Sequence, residues 1–330
     1  MIRKKSLIVF IVLFFCVCSI LIGCKNTPQE NKLLYEINSD SVTCTITGIG
    51  TYNDVSVIIP DSIDGYTVTA ISKNAFSYNE SIEEVFISDT VIEIGEKAFA
   101  YCSNLEYIVG LDSSSSLQSI GNGAFLNCTS LCEITIPSSV THIGIEAFAN
   151  CISLKNVSFA KSNQDLRISY YAFFGCYSLT SITLPKQCSS LGFFAFSKTS
   201  IENIYVDPNH SFSKSIDGVL FAYIDGVGIG AYPCSKKDYS YEIPFGTIWI
   251  EPGAFGFNEF IHELYIPKSV SYIYGGILYN SPNLTTIRYR GTIEEWDSIN
   301  KYSNWDEGSP EYTIYCTDGQ ISKDGTVTYK

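Results

Sequence analysis

Twelve cysteines and three histidines are the residues of this 330-residue chain best suited to chemistry. A thiol beside an imidazole could form a nucleophile–base pair. Closely paired thiols with histidines could close a zinc site. The spacing supports neither. Cys102, Cys128, Cys151 and Cys176 recur singly, at intervals of 26, 23 and 25 residues. His142, His210 and His262 have no Cys–His or Ser–His–Asp spacing around them. No glycine-rich phosphate loop follows a strand and opens a helix. Asp112 with the four serines after it reads as a loop insertion, not a metal loop. The expectation is a chain that is not an enzyme and carries no metal or small-molecule cofactor.

One cysteine stands apart. Arg3-Lys4-Lys5 is followed by an unbroken apolar or small stretch over residues 7–22, then Leu21-Ile22-Gly23-Cys24, then a polar stretch over 25–32. The first part has the layout of an export signal. The four residues ending in Cys24 resemble a bacterial lipobox. That resemblance implies a signal peptide over 1–23, a diacylglycerol on the Cys24 thiol, and a flexible tether over 24–33. An uncleaved anchor is the alternative, but 16 apolar residues fall short of the ~20 of a spanning helix.

Charge narrows the partners. The formal net charge is −13 with no block of Lys or Arg, which argues against a phosphate backbone and so against nucleic acid. Only 17% of residues are charged and 45% are hydrophobic, enough apolar material for a core and too little charge for a disordered chain.

The elements that hold these residues are repeats. Ala-Phe recurs with Phe at 76, 99, 125, 148, 173, 196 and 255, and Ile277-Leu278 is a degenerate copy. Five residues before each stands an aliphatic: Ile71, Ile94, Ile120, Ile143, Ile168, Leu191, Ile250 and Ile273. Three residues after stand Asn79, Cys102, Cys128, Cys151, Cys176, Thr199, Asn258 and Ser281. Each unit continues with a period-2 segment and a proline, such as Ile134-x-Ile136-Pro137, which reads as a strand with one buried face ended by a turn. A unit of about 23 residues cannot bury its own apolar face, so units must stack and set strand beside strand in a parallel sheet. The expected fold is a leucine-rich repeat solenoid over 71–290, β-rich α/β or all-β. The Phe column should form an interior stack. The Cys column should be a ladder of reduced thiols, because parallel side chains one coil apart keep their Cβ atoms beyond disulfide reach.

Solenoid ends need caps. Residues 34–70 read as the front cap, with a β-hairpin of 42–47 and 55–59. Residues 291–330 read as the back cap, with a helical segment at 293–299 and two strands joined by turns at Asp318-Gly319 and Asp324-Gly325. A hairpin insertion about Asp225-Gly226 occupies roughly 207–240.

Outward strand positions are the candidate binding surface. One column reads Phe86, Val109, Thr135, Ser158, Thr183, Tyr205, Tyr265 and Arg288; its neighbour holds Glu84, Tyr107, Glu133 and Glu263. Aromatics beside charges suit a protein partner. Glu84, Phe86, Tyr107, Glu133, Tyr205, Glu263, Tyr265 and Arg288 are therefore the predicted contact residues. Strand propensity alone would also place Tyr, Thr and Phe there.

The pattern Ile-Gly-x-x-Ala-Phe-x-x-Cys-x-x-Leu-x-x-Ile-x-Ile-Pro, as in residues 120–137, resembles the BspA-type leucine-rich repeats of bacterial surface proteins. Residues around Ile59-Pro60-Asp61, the Asp217-Gly218-Val219-Leu220-Phe221 insertion and the Gly291-Thr292 to Trp296 segment also resemble that family, over about residues 34–330. The resemblance implies a right-handed, surface-exposed solenoid used in adhesion or host-protein binding. The sequence departs from the pattern at Ile168-Ser169, at Ile250-Glu251 and at Thr199, where the unit is one residue short. The leading expectation is a lipid-anchored, extracytoplasmic adhesion protein. A structural surface component without a ligand, or a solute-binding lipoprotein, are the alternatives.

Overall fold

The computed structural model describes residues 32–111, 115–223 and 226–330. The chain is a stack of β-coils, each passing through two faces. On the first face runs a strand such as Glu133–Ile136, with Ile134 and Ile136 inside and Glu133 and Thr135 outside. The chain then turns at Pro137, buries Val140, and makes a two-residue strand, His142–Ile143, on the second face. A tight turn carries Ala147 and Phe148 inward before the next coil begins. Neighbouring coils are parallel and in register: Glu133 pairs with Asn156 on one face, and His142 with Arg167 on the other.

The single sheet read from the period-2 segments is corrected in two ways. The shorter strands form a sheet of their own, and it is the more continuous one. A nine-stranded sheet runs on the second face from Leu34–Ile37 to Cys188–Leu191. The first-face strands are instead broken into sheets of three, two, two and six. The breaks after Tyr107–Val109 and after Asn156–Phe159 fall where the spacing lengthens from 23 to 26 and 25 residues. Across the same coils the second-face ladder stays in register, Ile94 with Ile120 and Ile143 with Ile168.

The Phe column stacks as expected. Rings 76, 99, 125, 148, 173 and 196 follow one another at 4.9–5.7 Å between centroids, all within 18° of parallel. The Cys column bonds to the backbone. Each thiol donates to the Phe carbonyl one coil back: Cys102 to Phe76, Cys128 to Phe99, Cys151 to Phe125 and Cys176 to Phe148, at 3.1–3.2 Å. Each of these carbonyls also accepts the N–H three residues on, as Phe125 does from Cys128, so the thiol is its second donor and ties one coil to the next. Ser281 likewise donates to the Phe255 carbonyl at 2.5 Å. All nine described cysteines are free, and the four ladder thiols are fully buried.

The insertion divides the stack. Val219–Ala222 pairs antiparallel with Ser213–Ile216 and, as the hairpin, with Gly228–Ala231, which continues this six-stranded sheet by pairing in parallel with Trp249–Ile250. Within this coil Tyr232 takes the Phe position, donating its N–H to Ala254 as Phe76 does to Ala98. Ile229 aligns with Ile250, so only two residues separate Ile229 from Tyr232, against four between Ile250 and Phe255. This coil is therefore two residues short at its turn. The core is correspondingly two clusters, one ending near Leu220 and one starting near Val219.

Both caps differ from expectation. Residues 43–48 and 56–59 do not form a hairpin. Thr43–Gly48 pairs antiparallel with Leu34–Ile37 and parallel with Tyr66–Ile71, whereas Ser56–Ile59 joins the other face beside Glu84–Ile87. Left-handed Gly50 redirects the chain between faces, and a Cβ there would fall 2.1 Å from the Lys32 carbonyl. At the far end, Ile293–Asp297 is a short helix with a Thr292/Glu295 capping box. Four strands follow rather than two: Asn300–Lys301 and Thr313–Tyr315 extend the two faces in parallel, and Gly319–Ser322 and Val327–Tyr329 add to the latter antiparallel.

Candidate functional site

Register on the first face defines the two outward columns directly. Glu84 lies opposite Tyr107 and Phe86 opposite Val109; Thr183 lies opposite Tyr205; Tyr265 lies opposite Arg288, which lies opposite Tyr315. The eight predicted contact residues do not make one surface. Glu84, Phe86 and Tyr107 form a patch near the front cap. Glu133 stands beyond a sheet break, next to Asn156. Tyr205 is half exposed at the edge of the insertion. Between the ends the column is polar, with the Thr135 and Ser158 hydroxyls 2.9 Å apart and Thr183 across the next sheet break.

Glu263, Tyr265 and Arg288 do come together, near the back cap. Arg288 binds Glu263 through two hydrogen bonds, Nε to Oε2 at 3.0 Å and a terminal nitrogen to Oε1 at 3.1 Å. The Tyr265 hydroxyl donates to Glu263 at 2.9 Å. Both bonds favour the ionised carboxylate, and Arg288, then Tyr265, hold Glu263 below the usual carboxylate range. The Arg288 guanidinium lies 5.3 Å from the Tyr315 ring centre and 5.8 Å from that of Tyr265. Arg290 covers Tyr265 at 4.8 Å and pairs with Glu242. Arg290, Glu242 and Tyr315 were absent from the sequence-based set. Glu242 and Tyr315 flank the Tyr265–Arg288 pair in the same outward column, visible only once the coils are aligned.

Two of the three histidines, His210 and His262, are engaged by their neighbours. His210 is buried, and its Nδ1 accepts the N–H groups of Phe212 and Ser213 at 3.1 Å each. Burial holds its pKa below the ordinary 6.5, outweighing the opposite pull of the Cys188 backbone and Asp207. His262 stacks on Tyr239 at 4.5 Å. Among the described residues, no group of three or more His, Cys, Asp or Glu is arranged to hold a metal ion. Their helices include none long and apolar enough to cross a membrane. Cys24 lies outside the described residues.

Comparison with known proteins fits this architecture. A model of the BspA type leucine-rich repeat region matches in six copies, over residues 51–167, 110–225 and 227–304. The chain belongs to the BspA-type leucine-rich repeat family. Among solved structures, a leucine-rich cell surface protein of Faecalibacterium prausnitzii is 27% identical, with 81% of this chain and 76% of that one covered and a TM-score of 0.59. The pneumococcal vaccine antigen PcpA is 23% identical, with 88% and 80% covered and a TM-score of 0.70. A leucine-rich repeat protein of Eubacterium ventriosum is 17% identical, with 86% and 72% covered and a TM-score of 0.52. The latter two share the fold. No curated protein matches the sequence.

The BspA-type repeat has a third outward surface that the sequence reading passed over: the turns flanking Ala-Phe. Two residues before and two after each Phe are left-handed, among them Tyr78, Tyr101, Tyr171, Phe194 and Phe257. Their rings face outward and meet between coils. Tyr78 stacks on Tyr101 at 4.5 Å, and Tyr171 on Phe194 at 5.4 Å. Where the short insertion coil leaves a gap, Phe174 and Phe194 reach across to Phe257 at 5.6 and 5.8 Å. The recurrence of aromatics at these offsets was the available signal.

Proposed function

We propose that this protein is a lipid-anchored, extracytoplasmic binding protein that captures a protein partner on the first face of its solenoid and performs no catalysis. The carrying observation is the Tyr265–Arg288–Glu263 cluster with Arg290 and Tyr315. Tyr and Arg are the residue types that dominate interface hot spots, and here they are held by one another before any partner arrives. Family membership and the surface-protein neighbour in Faecalibacterium prausnitzii add support. The lipobox-like Leu21-Ile22-Gly23-Cys24 supports attachment through Cys24.

A photo-crosslinking residue at Ser240, in the neighbouring outward column, tests the reading on intact cells. One saturable protein adduct is expected, reduced about tenfold or more by Tyr265→Ser with Arg288→Ala. No adduct, or one indifferent to those substitutions, overturns it. Cys24→Ala should abolish incorporation of a labelled fatty acid and release the protein from the membrane fraction.

A further inference from the structure

The turn side of the C-terminal stack holds a cleft of about 430 Å³. Tyr171, Phe194, Tyr274, Tyr279 and Tyr302 line it, with Asn304 and Glu307 beside them. We infer that this cleft is a binding site for a neutral glycan.

Its origin is local. In four coils of the N-terminal stack, at Gly95, Gly121, Gly144 and Gly192, the residue after the aliphatic is a glycine pressed on the preceding coil; Ser72 and Ser169 hold that position in the other two. A Cβ on Gly121 would fall 2.7 Å from the Glu96 nitrogen, and one on Gly144 2.6 Å from that of Asn122. No side chain fits at these glycines. After the insertion the same position holds Glu251, Tyr274 and Tyr302. Tyr274 and Tyr302 lie 5.0 Å apart, so the closed seam has become an aromatic wall. Bare glycines seat further rings. A Cβ on Gly253 would come within 2.2 Å of Phe194, and one on Gly308 within 2.5 Å of Tyr279.

The lining selects the ligand class. Ring faces carry negative charge and attract the C–H face of a pyranose, which is apolar yet edged by hydroxyls. Those hydroxyls both donate and accept. The Asn304 amide and Glu307 carboxylate, 3.1 Å apart, offer both roles at the cleft edge. No Lys or Arg lines the cleft, which disfavours a phosphorylated or acidic ligand. A proline-rich peptide presents mainly carbonyl acceptors along its backbone, and a carboxylate cannot donate to them. The cleft volume falls in the range of small-ligand sites, about 300–1,000 Å³. This surface is separate from the strand face proposed for protein capture.

The test uses the full chain in a non-sugar detergent. Saturation-transfer NMR and calorimetry would be run with neutral gluco-, manno-, galacto- and N-acetylated hexasaccharides, and with decaproline. At least one saccharide should bind, with transfer from tyrosine ring protons. Tyr302→Ala should weaken it at least about tenfold and Glu307→Gln by a smaller factor. Tyr302 is 56% exposed, so its loss should leave the melting curve unchanged. Tyr265→Ser with Arg288→Ala should leave saccharide binding intact, which separates this site from the strand face. The inference fails if no saccharide binds, if only decaproline binds, or if binding ignores Tyr302→Ala and Glu307→Gln.

Discussion

The two stacks either side of the insertion use one repeat differently. The N-terminal stack is the more uniform: six parallel Phe rings, four buried thiols each bonded to a carbonyl, and glycines sealing the turn in four of six coils. The C-terminal stack keeps the coil but not the uniformity. Tyr232 tilts 31° against Phe255, Asn258 and Ser281 replace the thiols, and tyrosines replace the sealing glycine. Both candidate surfaces with preorganised side chains, the Arg288 cluster and the tyrosine cleft, involve the second stack. Repetition builds a core, and its local breakdown makes room for side chains that can bind.

The largest effect should come from the ring column. Phe125→Ala removes a ring stacked on both sides and should cost about 3–5 kcal/mol. Trp249, Trp296 and Trp305 all lie after the insertion. In this variant far-UV circular dichroism should therefore begin to fall before tryptophan fluorescence changes. Coincident transitions would mean that the stacks unfold as one unit and would break the comparison.

The polar columns come next. Asn258 is wholly buried and serves Pro233, Lys236, Phe260 and Ile261 backbones. Asn258→Ala should cost about 3 kcal/mol or more, since several buried groups lose partners. Cys151→Ala removes one of two hydrogen bonds at the Phe125 carbonyl, which keeps the Cys128 N–H, and should cost about 1 kcal/mol. Equal urea midpoints for the two variants would erase the distinction.

Thiol chemistry sharpens it further. Burial pushes the Cys102 and Cys176 thiols up to about 12. At pH near 8.5 they should be roughly three orders of magnitude less ionised than ordinary thiols, and the folded protein should be labelled first at partly exposed Cys132. After unfolding without reductant, all four ladder cysteines should label. Ladder cysteines that stay unlabelled would reveal disulfides and refute the reduced ladder.

His210 sits at the joint. Its folded pKa is lowered, so the unfolded chain binds the proton more readily. Stability is then full above the ordinary 6.5 and is lost as pH falls below it. The melting temperature should drop between pH 7 and 5, and His210→Asn, which keeps an acceptor, should flatten that part of the profile. An unchanged slope would remove His210 from the joint's pH response. The smallest effect belongs to Arg288→Ala. Its pair with Glu263 is partly exposed and should contribute about 1 kcal/mol or less to stability by urea titration. A larger loss would make the cluster part of the scaffold.

Much of the scaffold was legible without coordinates. Spacing placed the Phe, Ile and Cys columns in the interior, because a side chain repeated at one position of every coil must share its environment. It also aligned the outward strand columns, since period 2 alternates faces regardless of what lies beyond. Spacing could not show that two-residue segments such as Ser119–Ile120 form the longer sheet, because so short a strand leaves no periodicity to read. Nor could it show that Glu263, Tyr265 and Arg288 meet while Glu133 stands alone, since that depends on the first-face ladder, which breaks before Glu133 and holds from Tyr265 to Arg288. The Ile250-Glu251 departure from Ile-Gly, followed by Ile273-Tyr274, marked the point where the two stacks diverge. Only the packed structure turned that departure into a cleft: the shortened coil before it and the rings laid over Gly253 and Gly308 are contacts between coils, which no one repeat contains.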